Sequence, residues 1–239
     1  CLEGIGCTEL GLSRKEAQSL GEEAEAALLV MDHRQVAHAL LPMLTRPGKQ
    51  WRAAMRLAQM AYRDEQILTA LRQQVQSPIH SPVQESERGW CASALGSLGD
   101  QEWLQQQIGS AAVPAERIAQ GIAYPYRSWN SKPGTTPLHL DYAPLERALD
   151  LKHPALTQAL NKELSPGGGY CSLRVEDLEQ ALCALQSAHA LVRVHAACIM
   201  GERSLGAAAG RRITPVLAQA LSHDSNEGVR YRAMLGLRY

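Results

Sequence analysis

Apolar residues return along this chain at helical spacing. Val36, Ala39, Leu40, Met43 and Leu44 stand at i, i+3, i+4, i+7 and i+8, and Ile213, Val216, Leu217, Ala220 and Leu221 repeat that spacing near the other end. Such a stripe gives a helix one buried face and leaves the rest polar. Ile67, Ala70, Leu71 and Val75 match it partly, as do Leu178, Leu182 and Leu185. The pattern predicts an all-α protein.

The helices it predicts come in a repeating order. Leu191-Val192-Arg193-Val194-His195-Ala196-Ala197 and Gly228-Val229-Arg230-Tyr231-Arg232-Ala233-Met234 share Val-Arg-x-x-Ala, with the arginines 37 residues apart. Weaker copies of the same slot lie around Arg52, Arg88, Arg117 and Thr157, so successive landmarks are 36, 29, 40, 36 and 37 residues apart. A period in this range marks stacked supersecondary units, each burying its apolar face against its neighbours. Turn residues fall in register with it. Pro114 and Pro154 each precede their landmark by three residues, where a first-turn proline loses no hydrogen bond. Asp224 precedes Arg230 by six and is expected to cap the last helix and pair with that arginine.

Composition fits close helix packing: 45% of residues are apolar, only 5% are aromatic, and phenylalanine is absent. Basic and acidic residues balance at 24 each, which argues against a general binder of nucleic acid or anionic membrane. Their distribution is uneven. Glu3, Glu9, Glu16, Glu22, Glu23 and Glu25 crowd the start, Arg46, Lys49, Arg52, Arg56 and Arg63 the first repeat, and seven arginines residues 190–239. Most are read as solvated faces and interhelix braces. No apolar run is long enough to span a bilayer, and no cleavable leader is in view. The six cysteines form no C-x-x-C pair, and Cys183 and Cys198 are read as small buried hydrophobes. A reduced, cytoplasmic protein is expected, or an exported one if a leader preceded Cys1, which stands where a complete chain would carry Met.

Asp224, Val229 and Arg230, with the paired helices around them, resemble HEAT repeats over roughly residues 32–239. The resemblance implies a right-handed alpha-alpha superhelix, a HEAT-like solenoid of about six helix pairs, with residues 1–31 as an N-terminal segment and capping helix. It also implies a protein-interaction scaffold or adaptor, and HEAT-like arrays include toxin-neutralising immunity proteins and secretion adaptors. Enzymes share the architecture. The HEAT-fold deoxyhypusine hydroxylases use His-Glu dipeptides that bind iron, and this chain has none. HEAT-like phycobilin lyases are relatives too, but nothing marks a chromophore site. HEAT-like alkylpurine DNA glycosylases are the alternative class, and Trp51, Trp90 and Trp103 with Arg52, Arg56 and Arg88 would imitate their surface. The zero net charge weighs against that reading. None of the eight histidines pairs as H-x-x-x-H, and no cofactor or metal is expected.

The most informative local feature is an insertion at 124–142. It carries Tyr124, Tyr126, Trp129 and Tyr142 with three prolines, and Arg127 and Lys132 lie among them. Long segments of this kind in a repeat array are often functional, and Tyr, Trp and Arg concentrate binding energy at interfaces. Tyr124, Tyr126, Arg127, Trp129, Lys132 and Tyr142 are therefore the expected partner-binding residues, facing an acidic protein surface. The alternative is a segment folded back over the array with Trp129 packed inside. A third expectation concerns Met234 and Leu235, whose apolar surface on the last helix would meet a second copy, a partner or a further segment.

Overall fold

The computed structural model describes residues 32–126, 140–164, 177–201 and 206–238. Among these are twelve α-helices and no strand. In chain order they are α1 (His33–Leu40), α2 (Gln50–Met60), α3 (Glu65–Gln76), α4 (Pro82–Ser97), α5 (Gln101–Gln106), α6 (Ala115–Ala123), α7 (Ala143–Asp150), α8 (Pro154–Glu163), α9 (Leu178–Ala184), α10 (Ala190–Met200), α11 (Gly206–His223) and α12 (Glu227–Leu237). Short 3-10 turns cover Leu41–Thr45 and Tyr124–Tyr126.

Local sequence sets several of the starts. Asp32, Asp64, Ser81 and Asn226 each accept a backbone N–H from the first turn of α1, α3, α4 and α12, satisfying donors that have no partner within the helix. Pro82 and Pro154 occupy the first turns of α4 and α8. The stretch 76–86, which reads as a plain loop, therefore already becomes helix at Pro82. The first stripe is also cut short. Pro42 ends α1, so Met43 and Leu44 lie in the 3-10 turn, and Ala37 is buried while Ala39 is exposed.

Each odd-numbered helix packs against the even-numbered one after it. The even helices also stack on one another, α2 on α4, α4 on α6, α6 on α8, and α10 on α12. These are the helices carrying the landmark motif, and small residues let them approach closely. Ala53, Ala54, Ala92, Ala119, Ala196, Ala197 and Ala233 are all buried. At the α4–α6 crossing, a Cβ on Gly96 would fall inside the carbonyl oxygen of Gly121. At the α10–α12 crossing, a Cβ on Gly236 would stand 2.9 Å from the Gly201 Cα. Neither site has room for alanine.

Val192 and Val229, equivalent in the repeat, are both fully buried. Their neighbours Arg193 and Arg230 are used alike. Arg193 Nη1 donates to the carbonyls of Ser187 and Ala188 at 2.8 and 3.2 Å, and Arg230 Nη1 to those of Asp224 and Ser225 at 2.9 and 3.1 Å. Each guanidinium ties its helix to the turn six and five residues upstream. Asp224 departs from expectation. It accepts from Arg193 Nε and Nη2 at 2.8 and 3.1 Å, one unit back, while Asn226 caps α12. Hydrogen bonding from Arg193 holds the Asp224 carboxyl below its ordinary range. Cys183, expected inside, is exposed, and Cys198 is half-buried.

The stacking of even helices is interrupted between α8 and α10, which make little contact.

Candidate interaction site

The two ends of the insertion meet α10 in one seam. Tyr126 and Tyr142 stack with ring centroids 5.3 Å apart and planes 12° from parallel. Both meet the ring of His195, on α10, edge-on at 5.6 Å. His195 Nε2 lies 2.7 Å from the Tyr126 carbonyl oxygen, and Nδ1 lies 2.7 Å from the Tyr142 hydroxyl. A carbonyl only accepts, so Nε2 carries the proton and Nδ1 accepts from Tyr142. The Tyr126 hydroxyl donates to the Asp141 carbonyl.

Burial governs the chemistry of this group. It pushes the His195 imidazole down from 6.5 to about 4 and the Tyr126 phenol well above its ordinary value. At neutral pH the histidine is a neutral hydrogen-bonding tie, with neither the exposure nor the pKa of a general base.

Further bonds secure the same seam. Asp177, buried ahead of α9, accepts from the Leu140 backbone N–H at 3.2 Å. Ser187 donates to Glu146, and His189 Nε2 lies 2.9 Å from an Asp150 oxygen. The chain on either side of 127–139 is thereby fixed to α7 and α10.

The sequence placed six residues at a partner surface, and the structure divides them. Tyr126 and Tyr142 are 1% and 6% exposed, so as surface anchors these two are corrected: they are core residues that hold the insertion down. Tyr124 is half-buried and packs against the core. Arg127, Trp129 and Lys132 lie outside the described residues. Sequence reading missed His195. Its signal was a histidine in a helix slot between the buried neighbours Val192 and Ala196, in the same chain as two tyrosines framing an insertion.

The members of the tryptophan–arginine set are engaged in contacts of their own. Arg88 is buried and donates to Gln50 and Gln74 at 2.5 and 2.6 Å. Trp103 lies under Arg72, which makes a forked pair with Asp100 at 2.7 and 2.9 Å. Arg52 stacks over its neighbour Trp51 at 5.1 Å, Arg56 donates to Gln59 at 2.6 Å, and Trp90 is half-buried against the core.

Beside the seam, where α10 leaves α8 uncovered, lies an open groove of about 630 Å³. Lys152, Thr157, Gln158, Asn161 and His189 give it a polar rim around Leu149 and Pro154. Among the described residues, no group of three or more His, Cys, Asp or Glu side chains is placed to hold a metal ion. No described helix is long and apolar enough to cross a membrane.

The class the described residues define is an all-helical protein. No family model matches the chain, and no curated protein matches it. Among solved structures, the crystal structure of an engineered protein aligns over 95% of this chain and 92% of its own, at 16% identity and a TM-score of 0.28. A likeness that loose carries no argument about fold or function.

Proposed function

We propose that residues 32–239 form a HEAT-like, right-handed superhelix of about six helix pairs, and that the protein is a non-catalytic interaction scaffold. Its insertion, through Arg127, Trp129 and Lys132, contacts an acidic surface of another protein. A toxin-neutralising or secretion-associated adaptor is the narrower form of this reading.

The observation that carries it is the buried Tyr126–Tyr142–His195 group. Three large side chains and two buried hydrogen bonds are committed to fixing the stems of a segment rich in interface-type residues. A binding segment held at its stems loses less freedom on meeting a partner. The matching Arg193 and Arg230 braces support the superhelix.

The test is Trp129→Ala, read in two assays. Affinity for the partner recovered from native lysate is expected to fall by about 2 kcal/mol, with thermal stability unchanged. A lowered melting temperature with unchanged affinity would retire the site, because it would make Trp129 a packing residue. Tight binding of duplex DNA that weakens steeply with salt would replace the scaffold with the glycosylase-like alternative.

A further inference from the structure

The zero net charge of the chain hides a sharp division near its start. Residues 1–31 carry six glutamates against Arg14 and Lys15, a net charge of −4. Residues 32–63 carry Arg34, Arg46, Lys49, Arg52, Arg56 and Arg63 against Asp32, a net charge of +5, and all the rest of the chain adds only −1. Opposite charge is thus concentrated in two adjoining stretches.

The fold gathers part of the positive charge on one stripe. On α2, Ala53, Ala54, Leu57 and Ala58 face the core. Lys49, Arg52 and Arg56 follow one another at three and four residues, along the side turned away from that core. Arg52 is exposed, and Lys49 and Arg56 are half-buried. Arg52 lies over the Trp51 ring and Arg56 donates to Gln59, which holds both guanidiniums along the helix surface. Asp32, the one acidic residue of this stretch, is committed to capping α1.

We infer that residues 1–31 dock on this stripe as the chain's own acidic ligand, through Glu9, Glu16 and Glu23. Those three recur every seven residues, which on a helix is about two turns or about 10 Å, the same step that separates Lys49 from Arg56. Attachment favours this occupant over any other. Met31 stands two residues before α1, and α1 packs against α2. A segment tethered so closely is held near the stripe at an effective concentration on the order of millimolar, which a separate acidic protein or a nucleic acid must outcompete. The stripe is closed to other polyanions until one of them displaces the segment. The contact is separate from the insertion at 124–142, so its failure leaves the scaffold reading standing.

The test uses the full 239-residue chain. A water-soluble carbodiimide joins a carboxylate to an amine in direct contact with it, and Lys49 is the one lysine among residues 32–63. Peptide mapping by mass spectrometry is expected to find Lys49 amide-linked to a glutamate of 1–31 in the monomer fraction. The link should fade at high salt and disappear in Lys49→Arg, which keeps the charge but not the reactive amine. The second readout is fluorescence anisotropy of a labelled poly-glutamate peptide. Glu9→Gln, Glu16→Gln and Glu23→Gln together should raise its affinity at least tenfold by uncovering the stripe. Adding Arg52→Gln and Arg56→Gln should abolish that gain. Glu102→Gln, Glu116→Gln and Glu227→Gln change the net charge equally at exposed positions elsewhere and should give no such gain. Absence of any link between Lys49 and 1–31 overturns the inference. So does a link confined to crosslinked dimers, which would make the occupant the segment of a second copy. Equal gains in the two triple variants would also overturn it, since net charge alone would then be responsible.

Discussion

Lowering the pH should loosen the seam around His195, and the size of the effect follows from its burial. In the unfolded chain an imidazole titrates near 6.5, whereas the buried ring titrates at about 4. The folded state therefore resists the proton. The stability His195 contributes is complete above the unfolded value and is lost as pH falls from 6.5 through 4. Across the window the loss is about 3 kcal/mol, and about 2 kcal/mol of it falls between pH 7 and pH 5. For a chain of this size that is a melting-temperature drop of roughly 4–8 °C. The structural reason is specific. Protonation at Nδ1 removes the acceptor that the Tyr142 hydroxyl requires and places a positive charge in a fully buried ring. His195→Gln abolishes the titration while keeping a donor and an acceptor. Urea unfolding at pH 7 and pH 5, followed by circular dichroism, isolates the term, because other titrating groups act alike in both proteins and cancel. The variant is expected to be less stable at pH 7, with its deficit shrinking by about 2 kcal/mol at pH 5. A deficit that stays constant between the two pH values would refute the reasoning.

Val229→Asp should cost about 4 kcal/mol by chemical denaturation, because it strands a charge at a fully buried position; an unchanged midpoint would show that α12 is registered wrongly. Gly96→Ala should push α4 and α6 apart and lower stability by about 3 kcal/mol or more, while Gly210→Ala, on open helix surface, should leave the melting temperature the same or raise it.

The sequence revealed periodicity well and partnership poorly. Helical stripes, turn prolines and the Val-Arg-x-x-Ala slot are local signals, and Val192 and Val229 occupy the equivalent buried places the motif demands. Pairing is non-local. Asp224 looks like a partner for Arg230 six residues on, yet the guanidinium that reaches its carboxylate belongs to Arg193, across the helix stack. Aromatic residues misled for a related reason. A tyrosine that seals a seam and one that meets a partner share the same flanking prolines, so Tyr126 and Tyr142 gave no sign of burial until His195 stood beside them. Cys183 shows the limit of the stripe itself: an apolar neighbourhood along a short helix did not say which side faced water.

The braces formed by Arg193 and Arg230 bear on how such a chain can change over time. Each cation grips backbone carbonyls of its turn, Ser187 and Ala188 in one case and Asp224 and Ser225 in the other. Every residue type supplies a carbonyl, so the helix angle is set without reference to the side chains in the turn. The brace itself places no demand on those side chains, and Asp224, Asn226 and Ser187 are held to their types by other contacts instead. Two helices thus carry the same brace over turns whose sequences differ.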